Sequence, residues 1–159
     1  MTAEAGGLVD LKVSTCSLAP FDVTSLCDDV LAAIVVDLEL LLNAVHACCA
    51  AALEEFDRRG DWKADGALSG SGLARARTTM AKPAPRSRVR SGAVLRQLPS
   101  LAGPAREDTL SPVHLSSLAG CARRHPVLAE RDEALLVQQA LALDTGAFRP
   151  GPPLGGPGR

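Results

Sequence analysis

The chain has 159 residues, enough for one domain with a buried core, and its hydrophobic content of 47% is ordinary for a globular protein. Aromatic residues make up only 3% and tyrosine is absent, so leucine, valine and alanine must fill that core, a composition that favours helices over sheets. Five cysteines, an odd number without regular spacing, exclude the framework of a small secreted disulfide scaffold and read as reduced thiols in a cytoplasmic protein.

The net charge of −1 conceals strong segregation. Residues 1–65 carry twelve acids and four bases, residues 66–106 eight bases and no acid, and residues 107–159 six acids and five bases. A run of one sign is an electrostatic footprint whose commonest target is phosphate. The acidic and basic regions also suit each other, and attraction within the fold is the competing explanation of the pattern.

Residues 1–21 read as a flexible arm, in which residues 8–13 (LVDLKV) are either a short strand or extended chain. Glu4 and the lack of a basic cluster at the start speak against a secretory signal. A helical domain is expected over residues 22–145, and its first element is a long helix over 25–59. Asp22, Thr24 and Ser25 offer capping side chains, Asp28 and Asp29 suit the positive end of the helix dipole, and Gly60 follows Arg58 and Arg59 as a terminator. Leu31, Ile34, Leu38, Leu41, Val45, Cys48, Ala52 and Phe56 recur at steps of three and four and form a helical apolar stripe.

Such a helix is about 50 Å long at 1.5 Å per residue, whereas a compact domain of this size is about 40 Å across. It must bend, break near Asn43 or pack along a partner, and a homodimer seam along it is one expectation. The same segment raises the question of a membrane span. Asp37 and Glu39 interrupt its apolar run, each at a cost of about 2.5–3.5 kcal/mol at a bilayer centre, so no membrane association is expected.

Residues 61–72 (DWKADGALSGSG) form a linker whose Trp62, the only tryptophan, is expected against the end of the preceding helix, with stacking on a ligand as the alternative. A basic helical hairpin then spans 69–98. Ser69 or Ser71 caps a short helix through Arg77, Pro83 and Pro85 break the chain, and a second helix runs from Pro85 to Leu98 with Val89, Gly92, Ala93, Leu95 and Leu98 inward. The hairpin holds Arg75, Arg77, Lys82, Arg86, Arg88, Arg90 and Arg96, with Arg86, Arg88 and Arg90 on the leading half of its second helix. A short helix, a tight break and a basic second helix match a helix-turn-helix, so these seven are the candidate nucleic-acid-binding residues and duplex DNA the candidate partner.

Residues 100–109 read as a loop. Ser111 and Pro112 then start a helix over 112–124, Pro126 opens another over 126–143, and the Pro/Gly-rich residues 146–159 read as a disordered tail. The expected fold class is all-α: a long N-terminal helix, a basic helical hairpin and two further helices.

Three stretches, EEFDRRGDWKADGA, SGLARARTTMAKPAPRSRVRSGAVLRQLPSL and LSPVHLSSLAG, stand in an order that resembles the domain of unknown function 222, the mycobacterial 13E12-repeat type found ahead of HNH nuclease modules in actinobacterial proteins. The resemblance covers residues 26–143. Gly72 departs from it, standing where a Trp commonly precedes the leucine matched by Leu73, and the chain corresponds to the front portion of such a domain. The resemblance implies an association with DNA cleavage without a catalytic role for this portion.

Catalytic centres find little material. An HNH site needs a His before an Asn, yet the only asparagine is Asn43 and no histidine precedes it, so no enzyme activity is expected. His46 and Cys49 share a helix face, but zinc would need Cys121, His114 or His125 at the same point, and the pattern reads as a satisfied histidine among buried thiols. No serine sits in a G-x-S-x-G elbow, and the GSG of residues 70–72 lacks the Lys-Ser/Thr of a phosphate loop. No metal, cofactor or small-molecule ligand is expected. Two readings stay open: a DNA-associating helical module, and a structural or self-association module whose basic stretch answers its own acidic region.

Overall fold

The computed structural model describes residues 23–81, 83–107 and 109–142, and every regular element among them is helical. The all-α class expected from the composition is the class found. The expected arm at 1–21 and the tail at 146–159 lie outside the described residues, as does Lys82. The chain divides into two compact units, Met1–Asp37 and Leu38–Arg159.

In the first unit Val23–Ser25 form one 3-10 turn, and helix α1 (Asp28–Arg59) begins there and runs on into the second unit, to which its residues from Leu38 onward belong. The start is three residues later than the capping side chains suggest, because Thr24 and Ser25 are spent in the turn; the Leu31 amide donates to the Cys27 carbonyl at 2.9 Å. No break occurs at Asn43. The helix stops where Gly60 takes a φ of 77°, a left-handed conformation that costs glycine little. In its last turn Arg58 and Arg59 donate to the Glu55 carboxylate at 2.6–2.7 Å and hold that carboxyl down to about 2.

The second unit adds α2 (Gly70–Arg77), α3 (Pro83–Gln97), α4 (Ala102–Arg106), α5 (Pro112–Arg124), α6 (Pro126–Arg131) and α7 (Glu133–Ala142). Its core is built where α3 packs on α5, from Val94 of one and Leu115, Leu118, Cys121 and Ala122 of the other, closed by Leu98, Leu101 and Leu110. The α5 start follows the sequence signal. Ser111 Oγ accepts from the His114 amide and His114 Nδ1 accepts from the Ser111 amide, both at 3.3 Å, with Pro112 in the first turn. For α2 the cap is Ser69, whose Oγ accepts from the Gly72 amide at 3.0 Å.

Four stretches differ from expectation. The 61–72 linker holds a 3-10 helix at Asp61–Asp65, and α3 opens at Pro83, which starts the helix instead of breaking the chain. Two more lie further on. Residues 100–109 are not a plain loop: a 3-10 turn at Pro99–Leu101 runs into α4 and buries Leu101 and Ala105. Nor is 126–143 one helix, since α6 ends before Asp132, whose amide donates to the Leu128 carbonyl at 2.9 Å and whose carboxylate takes two bonds from Arg131. Glu133, opening α7, accepts from the Ser100 amide at 2.7 Å and ties the new helix to that 3-10 turn. The break lets α7 turn back over the core.

The buried face of α1 is the largest departure. It consists of Ala47, Ala50 and Glu54, while Leu38, Leu41, Cys48 and Ala52 of the apolar stripe are exposed. At about 100° per residue the two faces lie about 160° apart around the helix. The reason is Gly92: α3 crosses α1 so closely that a Cβ there would collide with the Ala50 carbonyl oxygen and stand 2.5 Å from Glu54 Cβ. Only small side chains fit such a crossing, so the large apolar ones are left outside. On α3 the inward residues are correspondingly Pro85, Ser91, Gly92 and Val94, with Val89, Ala93 and Leu95 half-buried and Leu98 buried just past its end.

Candidate nucleic-acid interface

The six candidate cations among the described residues do not share one surface. Arg77 donates to Asp65 at 3.0 Å, and Arg96 donates to Glu54 at 2.9 Å. Glu54 is 7% exposed, so Arg96 is the counter-charge of a buried carboxylate rather than a free group. Arg88 is half-buried; its guanidinium reaches Met80 Sδ at 3.8 Å. Arg75, Arg86 and Arg90 are exposed and have no carboxylate partner among the described residues.

Helix geometry explains the split on α3. Arg86 and Arg90 stand four residues apart on one face, and Arg88 lies about 160° around from Arg86. The helical period therefore separates a set that proximity in sequence had joined. Arg86 meets Arg75 of α2 instead, across a depression of about 330 Å³ lined by Leu68, Ser69, Ser71, Gly72, Arg75, Pro85 and Arg86. No carboxylate lines it. Two arginines among its lining residues suit an anionic oxygen, since arginine bonds a phosphate through paired N–H donors.

Leu68, Ser71 and Pro85 were invisible as site residues, because only the return of α3 against α2 brings them together. Gly72 lies in the hollow too, where a larger residue would fill it. The base of the hairpin is held from α1. The Gly70 amide donates to Asp57 Oδ1 at 2.6 Å, and a Cβ on Gly70 would press within 3.0 Å of the Asp57 Cα. Trp62 belongs to the same anchorage, as the packing reading expects: its Nε1 donates to the Asp57 carbonyl at 3.0 Å, and Lys63 lies over its ring.

Arg88 faces a second hollow, a groove of about 440 Å³ between α1 and the start of α5, with Leu42, Val45, His46 and Cys49 on one wall and Pro112 and Val113 on the other. Burial and the Arg88 charge both push the His46 imidazole below its ordinary value, burial contributing more. The unfolded chain then binds the proton more tightly, so this contribution to stability is full above about pH 6.5 and is lost as pH falls toward the lower folded value. Urea midpoints taken at about pH 8 and about pH 5 should show a larger acid loss for the wild type than for His46→Gln. Equal losses would contradict the assignment.

Among the described residues no three His, Cys, Asp or Glu side chains gather as a metal site, and His114 Nδ1 is engaged by the α5 cap. Helix α1 is long and apolar enough to cross a membrane by length and composition, and only 6% of that stretch is buried. Comparison of the chain with protein-family models, curated proteins and solved structures finds no match.

Proposed function

We propose that this chain is a non-catalytic, cytoplasmic helical module that contacts the phosphate backbone of duplex DNA through its basic hairpin, as a relative of the HNH-associated 13E12-repeat family. The observation that carries the reading is the carboxylate-free hollow shared by Arg75 and Arg86, with Arg90 one turn along the same face of α3. Arg77 and Arg96 drop out of the contact set because Asp65 and Glu54 occupy them, and Arg88 because it faces the other groove. Lys82 stays with the set by sequence position alone.

Contact of this kind positions a protein on DNA without reading bases, since phosphates carry no sequence information. The inward face of α3 is committed to the core, so its open face offers two arginines to the backbone rather than a full recognition surface for the major groove. The test is a gel shift with duplex DNA using Arg75→Glu/Arg86→Glu/Arg90→Glu. These exposed positions bear no side-chain bond to another described residue, so the variant should fold normally, and its affinity should fall by at least about tenfold at low salt. Unchanged affinity would refute the reading.

A further inference from the structure

We infer that the chain pairs with a second copy of itself, the apolar first half of α1 in one copy lying in the groove formed by α1, α3 and the start of α5 in the other. The helix supplies the motive. Val30, Val35, Val36, Leu38, Leu40, Leu41 and Leu42 are all exposed, from 39% at Leu40 to 58% at Leu42. At about 100° per residue these positions occupy most of the circumference, so this is not one amphipathic stripe left bare. A helix apolar nearly all round needs cover on more than one side.

The groove supplies the seat. Leu42 belongs to the exposed run and also lines the groove, beside Val45, Pro112 and Val113, and Val113 is itself 51% exposed. In a two-fold pair each α1 would meet both the partner's groove and the partner's own α1, which covers two faces with one symmetry operation. Charge selects the register. The groove holds one cation, Arg88, with no carboxylate bonded to it, and the incoming apolar run carries Asp37, whose carboxylate has no bonded partner among the described residues either. Asp37 of one copy against Arg88 of the other satisfies both in a desolvated contact. Glu39 lines the groove as well and opposes an incoming carboxylate, so Asp37 must meet the Arg88 side of it.

A bilayer covers the same face less well. From Ala47 onward α1 is committed to the crossing with α3. The part left over, residues 28–46, is just long enough for a span, but Asp37 and Glu39 lie in its middle, where each carboxylate is costly in a bilayer.

The experiment is light scattering on the full chain after size-exclusion chromatography, over a concentration series, with vesicle flotation on the same samples. The wild type should pass from monomer to dimer. Asp37→Arg and Arg88→Glu should each raise the dissociation constant about tenfold, and the double variant should return to within about threefold of the wild type. Leu38→Asp/Leu41→Asp, on exposed positions, should abolish pairing with helicity unchanged. A strict monomer, a dimer indifferent to these changes, or a chain that floats with vesicles and never dimerises would each overturn the inference. The residues differ from the DNA-contacting set, so either proposal can fail alone.

Discussion

Gly92→Ala should destabilise the second unit by about 3 kcal/mol or more, the upper end of what overpacking a core costs. The obstruction is backbone, not a side chain that can swing away: the new methyl would run into the Ala50 carbonyl oxygen, with the Ala50 carbonyl carbon at 2.8 Å and Glu54 Cβ at 2.5 Å. Relief requires α1 and α3 to separate, which also draws Glu54 from Arg96 and loosens Ala47 from the core. Gly103→Ala is the control. It lies in α4 with nothing near its would-be Cβ, so alanine there should be neutral or slightly stabilising through helix propensity. Urea denaturation of both variants checks the pair. A Gly92 variant as stable as the control would mean that the helices do not cross at this point.

Leu118→Ala should cost about 2–5 kcal/mol, the range for truncating a fully buried leucine when the cavity cannot collapse. Leu118 is 0% exposed and lies on the face of α5 that carries Leu115, Cys121 and Ala122 against α3. With hardly any aromatic volume in the chain, no large neighbour can expand into the gap. A loss below about 1 kcal/mol in the same denaturation measurement would show that α5 is not the centre of the core.

What could be read beforehand divides along physical lines. Local chemistry was legible: Ser111 before Pro112 announced the α5 start, Ser69 or Ser71 the α2 start, which the structure gives to Ser69, and Gly60 the end of α1, because caps and terminators act within one turn of chain. The buried face of α1 was not, because the strongest apolar periodicity marks Leu38 and Leu41 while the crossing at Gly92 demands the small Ala47 and Ala50. Period reports which residues could be buried, and backbone proximity selected the other side.

The candidate site divides in the same way. That a basic hairpin exists was plain from the run of arginines without acids. Which of them are free was not, since Glu54 meets Arg96 from 42 positions away and Asp65 meets Arg77 from 12. One distinction lay within reach of the sequence: positions 86 and 90 share a helix face and 88 does not, by the helical repeat alone. The α6–α7 break at Asp132 had no comparable signal: no proline or glycine marks it, and the bond from the Ser100 amide to Glu133 beside it is a tertiary contact.

The salt dependence of duplex-DNA affinity, followed by fluorescence anisotropy on the wild type, tests the central claim most directly. Three open arginines neutralising about three phosphates give a log–log slope near −2.7, and Arg75→Glu/Arg86→Glu/Arg90→Glu should flatten it toward zero. A wild-type slope already near zero, or one that the triple variant leaves unchanged, would contradict the assignment of DNA contact to this face of the hairpin.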